Sequence, residues 1–248
     1  MSRAGAPPRG LVLRSLLVQA SWNTRTQIGA GFAWALLPFL RRARGADPEA
    51  LERAVARHAA PFNAHPYLTP LALSAVARLE AEGASPETID RFKTALRGPL
   101  GALGDRLVWA RWLPCTLLFA CAAALAGAPW WAVAGGFLLV YNAGHLALRL
   151  WGARVGWQAG RDVGARLREA DLGRWSERLV IPTAGACGAL GGAILGMALG
   201  GAVTLWLPAL AVAAMFALGV LVGERGARTG ARLAALVILL LSALGWLT

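Results

Sequence analysis

Apolar and polar positions divide this chain of 248 residues into a mixed N-terminal part and a strongly apolar C-terminal part. In residues 1–111, apolar positions recur at helical spacing between charged ones, which predicts amphipathic and short re-entrant helices. Residues 112–148 carry no formal charge, and Gly127-Ala128-Pro129 divides them into a predicted transmembrane hairpin. A basic segment, 149–178, separates this hairpin from residues 179–248, which predict a second hairpin and a last apolar helix. The pattern therefore indicates an all-α integral membrane protein with about five transmembrane helices.

The arginines predict the orientation of these helices. They are concentrated in the N-terminal part, in residues 149–178 and in 224–232, whereas the turn inside each hairpin has no charge. Loops rich in Lys and Arg stay on the cytoplasmic side of a membrane. We therefore expect a cytoplasmic N-terminus and a cytoplasmic basic loop at 149–178.

Two stretches near the N-terminus are apolar but too short to span a bilayer. The helix predicted from Leu11 is either a surface helix packed on the body or an interfacial helix with Trp22 at the headgroup level, and the second interpretation is favoured. Residues Ile28–Leu40 suit a re-entrant or partly buried helix. The segments Asp47-Pro48-Glu49 and Ser85-Pro86-Glu87 each predict a helix start, because both place a capping side chain before a proline.

The segment Pro61–Pro70 holds three prolines together with Asn63, His65 and Tyr67. Proline lacks a backbone N–H and disfavours helix in the residue before it, so this segment predicts a break in the helical pattern. A second predicted break, Gly98–Trp109, contains three glycines, a proline and a lone acid. Non-helical backbone at membrane depth is tolerated only where it is buried in protein or lines a cavity. These two segments are therefore the first candidates for a binding site.

Composition excludes several classes of function. The net charge of +12 is not gathered into a basic arm, which argues against nucleic-acid binding. The three cysteines lie in apolar runs without a neighbouring metal ligand, so neither a disulfide nor a metal site is expected. The sequence also lacks the HExxH, GxSxG and P-loop motifs, and no cofactor is predicted.

Four segments carry, in order, motifs that resemble those of one protein family. Arg14–Asn23 is similar to R-S-x-x-x-Q-A-S-W-N, and Phe62–Tyr67 is similar to F-N-T-H-P-Y. Lys93–Asp105 resembles K-x-A-L-M-G-P-L-A-G-I-G-D, and residues 142–152 resemble N-x-x-H followed by Arg and Gly. Together the four motifs resemble those of the enzyme IID subunit of mannose/fructose/sorbose-family phosphotransferase permeases, and the resemblance covers roughly residues 11–240.

The resemblance implies a multi-pass, non-catalytic subunit of the bacterial inner membrane. Such a subunit assembles with an enzyme IIC subunit, as an oligomer of IIC–IID pairs, and passes a hexose inward. Soluble IIA and IIB subunits carry the phosphoryl group. The three histidines, His58, His65 and His145, accordingly lack an acid–base arrangement that would mark a phosphorylation site, and His58 fits a packing role better than a ligand role.

The candidate sugar-binding residues are Asn63, His65 and Asp105, because amide, imidazole and carboxylate groups can together donate to and accept from sugar hydroxyls. The competing interpretation is that these side chains only cap and brace broken helices. Two residues depart from the family pattern: Arg106 replaces the usual Ser, and Ala64 the usual Thr. Arg106 favours an alternative function, a IID-like scaffold or regulatory subunit that does not transport sugar.

Overall fold

The computed structural model describes residues 9–198, and within that range the chain forms helices joined by short turns. The predicted all-α class is therefore confirmed for these residues. The elements, in chain order, are α1 (Arg9–Ser15), α2 (Gly29–Arg44), α3 (Pro48–Ala59), α4 (Thr69–Ala81), α5 (Pro86–Gly104), a π-helix (Asp105–Trp112), α6 (Leu113–Leu125), α7 (Trp130–Ala159), a 3-10 turn (Gly160–Asp162), α8 (Val163–Glu169), α9 (Leu172–Arg178) and α10 (Val180–Ala198).

The described chain divides into two compact units. The first unit comprises residues 9–108 and 142–173, and the second comprises residues 109–141 and 174–198.

Helix α4 is the core of the first unit, since nearly all of its residues are buried. Helix α2 packs against α1, α3 and α4 and buries Phe32, Leu36 and Leu40. A Cβ atom at Gly31 would overlap the backbone of Val18, so glycine permits the close approach of α2 to the segment after α1. Helix α2 is thus a buried helix of the first unit, in line with one of the two interpretations of Ile28–Leu40.

The two predicted helix starts are present. The Asp47 carboxylate accepts a hydrogen bond from the Ala50 N–H at 2.9 Å, and Pro48 is the first residue of α3. The Ser85 hydroxyl accepts from the Thr88 N–H at 3.3 Å at the start of α5. Each cap satisfies a backbone donor that the first helical turn leaves without a partner.

The predicted break at Gly98–Trp109 is wrong. Helix α5 continues through Gly98 and Pro99 as far as Gly104, and the π-helix then leads directly into α6. Proline removes a single backbone hydrogen bond from a helix, and the adjacent glycines carry no side chain that would be crowded by a local adjustment. The irregularity takes the form of the wider π-helical turns, which are common at functional sites.

Residues 149–178, predicted as a cytoplasmic basic loop, are largely helical, and their cytoplasmic location stays a prediction. Helix α7 continues to Ala159, and most of the remaining residues lie in the short helices α8 and α9. Arg149 interrupts the apolar run in the sequence, but its side chain is only 3% exposed and the helix continues past it. The absence of charge defined the predicted hairpin boundary, but the helix continues beyond it because Arg149 is buried and hydrogen-bonded to Ser15.

In the second unit, α6 and the first part of α7 form a hairpin, with Gly127 at a φ of +83° in the turn between them. Helix α10 packs against α6. Trp130 and Trp131 are exposed at the start of α7, as expected for interfacial anchors. Within residues 9–198, two helical stretches, 86–125 and 130–191, are long and apolar enough to cross a membrane. The remainder of the predicted second hairpin and the last helix lie outside the described residues, so the count of five spans stays a prediction.

Candidate functional site

The segment between α3 and α4 is held in place by Phe62. Its N–H donates to the Thr26 carbonyl at 3.3 Å, and its carbonyl accepts from the Ile28 N–H at 3.2 Å. The Phe62 ring is buried against Phe32, with ring centroids 4.7 Å apart. These contacts fix the backbone immediately before Asn63, whose side chain is exposed.

His65 forms the turn that leads into α4. Its carbonyl accepts hydrogen bonds from the Leu68 and Thr69 N–H groups and from the Thr69 hydroxyl, each at 3.0 Å. Its Nδ1 atom accepts from the Tyr67 N–H at 3.2 Å. Burial, together with the positive charge of Arg149, lowers the pKa of His65 to about 4, so the imidazole is neutral at pH 7.

Gly104 brings the end of α5 against this turn. A Cβ atom at Gly104 would overlap the Cβ and Cγ atoms of His65, so only glycine allows this contact. Asp105 follows directly and is exposed. The Pro61–Pro70 segment and the end of Lys93–Asp105 therefore meet in the first unit, although the second of them is helical.

Tyr67 connects this turn to α7. Its ring stacks on His145 with centroids 3.8 Å apart, and the Arg149 guanidinium lies 5.4 Å from the centre of the same ring. Arg149 donates from Nε to the His145 Nε2 atom and from Nη1 to the Ser15 carbonyl and hydroxyl, at 2.6 and 2.9 Å. The buried arginine thus joins α1 to α7 beside the turn that carries His65.

One cluster of the first unit therefore contains residues from all four motif segments. Ser15 comes from the first, His65 and Tyr67 from the second, Gly104 from the third, and Arg149 from the fourth. Segments that are far apart in the chain converge here, since Ser15 and Arg149 are separated by 134 residues.

The three predicted site residues differ in their surroundings. Asn63 and Asp105 are exposed, whereas His65 is only 2% exposed. The structure brings His65 next to Gly104, which precedes Asp105, and within residues 9–198 no hydrogen bond joins Asn63 to Asp105. Residue-by-residue reasoning missed Ser15 and Arg149, and the available signal was their position inside the resembling motifs.

A second buried cluster surrounds Glu80 on α4. Its carboxylate accepts from Arg57 at 2.7 Å and from Arg44, and the His58 Nε2 atom lies 2.9 Å away. Lys93 donates to the Arg57 carbonyl at 2.9 Å, at the end of α3. Burial alone would raise the pKa of Glu80, but the hydrogen bonds from His58, Arg44 and Arg57 lower it to about 2. Burial lowers the pKa of His58. His58 is thus a packing residue in a network that ties α2, α3 and α5 to α4.

The family profile described as the PTS system mannose/fructose/sorbose family IID component matches residues 8–195 of this chain. The chain belongs to this IID family. Among residues 9–198, no group of three His, Cys, Asp or Glu side chains is arranged to hold a metal ion.

Curated members of the IID family share about 30% identity with this chain. The mannose-specific EIID component of Escherichia coli K12 is 31% identical over 160 residues, which is 62% of this chain and 56% of the relative. The sorbose-specific EIID component of Klebsiella pneumoniae is 30% identical over 62% of this chain and 57% of the relative. The fructose permease IID component of Bacillus subtilis is 27% identical over 62% of this chain and 56% of the relative. The aligned part thus spans little more than half the length of these relatives.

Two solved structures resemble the fold. One is the cryo-EM structure of the mannose transporter ManYZ in complex with microcin E492, which is 30% identical and has a TM-score of 0.58 over 74% of this chain and 68% of the matched chain. The other is described as a membrane protein, is 23% identical and has a TM-score of 0.67 over 95% and 94% of the two chains. The family profile thus assigns the chain to the IID family, and the two long apolar helical stretches among residues 9–198 fit a membrane protein.

Proposed function

We propose that this chain is the IID subunit of a hexose translocation complex in the bacterial inner membrane, where it assembles with a IIC subunit. Soluble IIA and IIB subunits carry the phosphoryl group, and this chain has no catalytic residue. The relatives named for mannose, sorbose and fructose support a hexose as the substrate class.

The observation that carries this proposal is the convergence of the four motif segments on the cluster around Tyr67. Contacts between Gly104 and His65, between Tyr67 and His145, and between Arg149 and Ser15 each join two of these segments. Packing of this kind requires suitable side chains at several positions in different segments at the same time. It favours a constructed site over an incidental break between helices.

Within this site, Asn63, His65 and Asp105 have different proposed roles. Asn63 and Asp105 are exposed and can bind sugar hydroxyls, because an amide both donates and accepts while a carboxylate accepts. The buried, neutral His65 holds the turn against Gly104 and positions Asn63 indirectly. A IIC subunit would complete the pocket above the exposed pair.

The test is phosphoenolpyruvate-dependent uptake of labelled mannose, with fructose and sorbose measured in parallel. The cells express this chain with the IIC and soluble subunits of its own host. We expect the Asn63→Ala and Asp105→Asn variants to lose most uptake while still assembling with IIC. The first removes an amide that would bind the sugar, and the second replaces an acceptor oxygen of the carboxylate with an N–H donor. Normal uptake by both variants would refute the proposed site.

Glu49→Gln provides a matched control, because Glu49 is an exposed polar residue whose contact with Arg53 lies on the surface. This variant should transport like the wild type. Assembly is measured separately by co-purification with IIC, so that loss of uptake is not confused with loss of the complex.

The second candidate function is a IID-like scaffold that assembles with partners without contributing to transport. The burial of His65 favours it, because a buried imidazole cannot touch a ligand in the isolated chain. A scaffold would co-purify with IIC, yet the Asn63→Ala and Asp105→Asn variants would not alter uptake. The same experiment therefore separates the two functions.

A further inference from the structure

Gln27 has a strained backbone. Its φ angle is +55°, in the left-handed region that residues with a side chain rarely adopt. The turn that holds it is organised by Asn23, whose side-chain oxygen accepts from the Arg25 and Thr26 N–H groups at 3.0 and 2.8 Å. The Gln27 N–H in turn donates to the Asn23 carbonyl at 2.8 Å. Glycine or asparagine would fit such a turn with less strain, so the turn alone does not explain a glutamine.

The strained residue lies beside the candidate site. Gln27 pairs with Phe62 in an isolated bridge, through the two backbone hydrogen bonds that Phe62 makes to Thr26 and Ile28. The residue after Phe62 is Asn63. The turn before α2 and the turn before α4 therefore run side by side at this point.

Both amide side chains are available to a ligand. Asn63 is exposed and Gln27 is partly exposed, and neither side chain makes a hydrogen bond to any residue in the range 9–198. Each amide offers a carbonyl acceptor and two N–H donors and carries no charge. This is a suitable combination for a neutral polyhydroxylated ligand.

We infer that the Gln27 side chain is a second sugar-contacting amide, which acts beside Asn63 at the junction of the two turns. The inference rests on the proposed sugar site. It explains the glutamine at this strained position by the contact of its side chain with the ligand. Strained residues of this kind persist where the surrounding structure holds them and where function uses them.

The test compares Gln27→Gly with Gln27→Asn in the assembled complex, by measuring labelled mannose uptake over a range of sugar concentrations. Glycine accepts the backbone angle and removes the amide, so we expect unchanged assembly, a thermal stability at least equal to that of the wild type, and a KM raised about 3- to 10-fold, as for the loss of one neutral hydrogen bond. Asparagine tolerates the same angle and keeps an amide, so its KM should lie closer to the wild type.

An unchanged KM for Gln27→Gly would overturn the inference, and so would failure of this variant to assemble, since the role would then be structural. Asn63→Ala, measured in the same series, distinguishes failure of the inference about Gln27 from failure of the proposed sugar site. If Asn63→Ala impairs uptake and Gln27→Gly does not, only the inference about Gln27 fails. If neither Asn63→Ala nor Asp105→Asn has an effect, the proposed site itself fails.

Discussion

Gly104 allows α5 to approach the His65 turn, and its substitution tests this contact directly. In Gly104→Ala the new methyl group would overlap the His65 side chain, and overpacking of this kind costs about 1–3 kcal/mol. We expect a lower melting temperature of the detergent-solubilised protein, together with reduced sugar uptake.

Gly101→Ala is the matched control on the same helix, because a Cβ atom there would have no heavy atom within 4 Å. Alanine is the better helix former, so this variant should be as stable as the wild type or slightly more stable. Equal melting temperatures for the two variants would contradict the close packing at Gly104.

Single residues were predictable where their effect is local. Asp47 and Ser85 cap the helices that follow them, as expected, because a capping side chain needs only its own next few residues. The hydrogen bonds from Arg149 to Ser15 could not be derived from periodicity, since they join residues 134 positions apart. Likewise, the sequence marked Asn63, His65 and Asp105 as polar residues without indicating which of them would be buried.

At the scale of elements, the Glu80 network should be the main polar tie between α4 and its neighbours. Glu80→Gln removes the carboxylate charge that pairs with Arg44, Arg57 and His58. Breaking a buried ion pair on one side costs about 3–5 kcal/mol. For a chain of this size the melting temperature should fall by about 10 °C.

The control for this prediction is Glu82→Gln, two residues further along the chain and just after the end of α4, where the ion pair with Arg78 is more exposed. Exposed pairs contribute less than about 1 kcal/mol, so its effect should be small. Similar losses in both variants would contradict a special role for the buried network.

The pH dependence of the melting temperature provides a second test of the Glu80 network, through a comparison of wild type with Glu80→Gln. The pKa of Glu80 lies near 2 in the folded protein, below its usual value of 4.5, so its contribution to stability is present above about pH 4.5 and is lost as the pH falls toward 2. The difference in melting temperature between wild type and Glu80→Gln should therefore shrink over that range. A difference that does not change with pH would argue against an ionised Glu80.

The ends of helices were less predictable than their starts. A proline and nearby glycines predicted a break at Gly98–Trp109, but α5 runs through them and the irregularity appears as the π-helix at Asp105–Trp112. Local propensity indicates where a helix is weak, whereas packing decides whether it continues. The extension of α7 past Arg149 illustrates the same point, because burial and hydrogen bonds accommodate that charge within the helix.

At the scale of the whole molecule, hydrophobic patterning correctly predicted an all-helical fold for the described residues, 9–198. The two helical stretches in that range that are long and apolar enough to cross a membrane fit the predicted membrane protein. The family assignment came from four short motifs in order, and the family profile confirms it over residues 8–195. The proposed assembly with IIC and the proposed choice of sugar would depend on surfaces shared with a partner chain. No periodicity within this one chain encodes them.

The most direct test of the account is uptake of labelled mannose by cells that express the IIC and soluble subunits of the same host with and without this chain. The account predicts that uptake requires the chain, and that the double variant Asn63→Ala/Asp105→Asn co-purifies with IIC but does not restore uptake. Fructose and sorbose, tested in parallel, identify the preferred hexose. The account would be contradicted if, for each of the three sugars, cells with and without the chain took up the same amount, or if the double variant fully restored uptake.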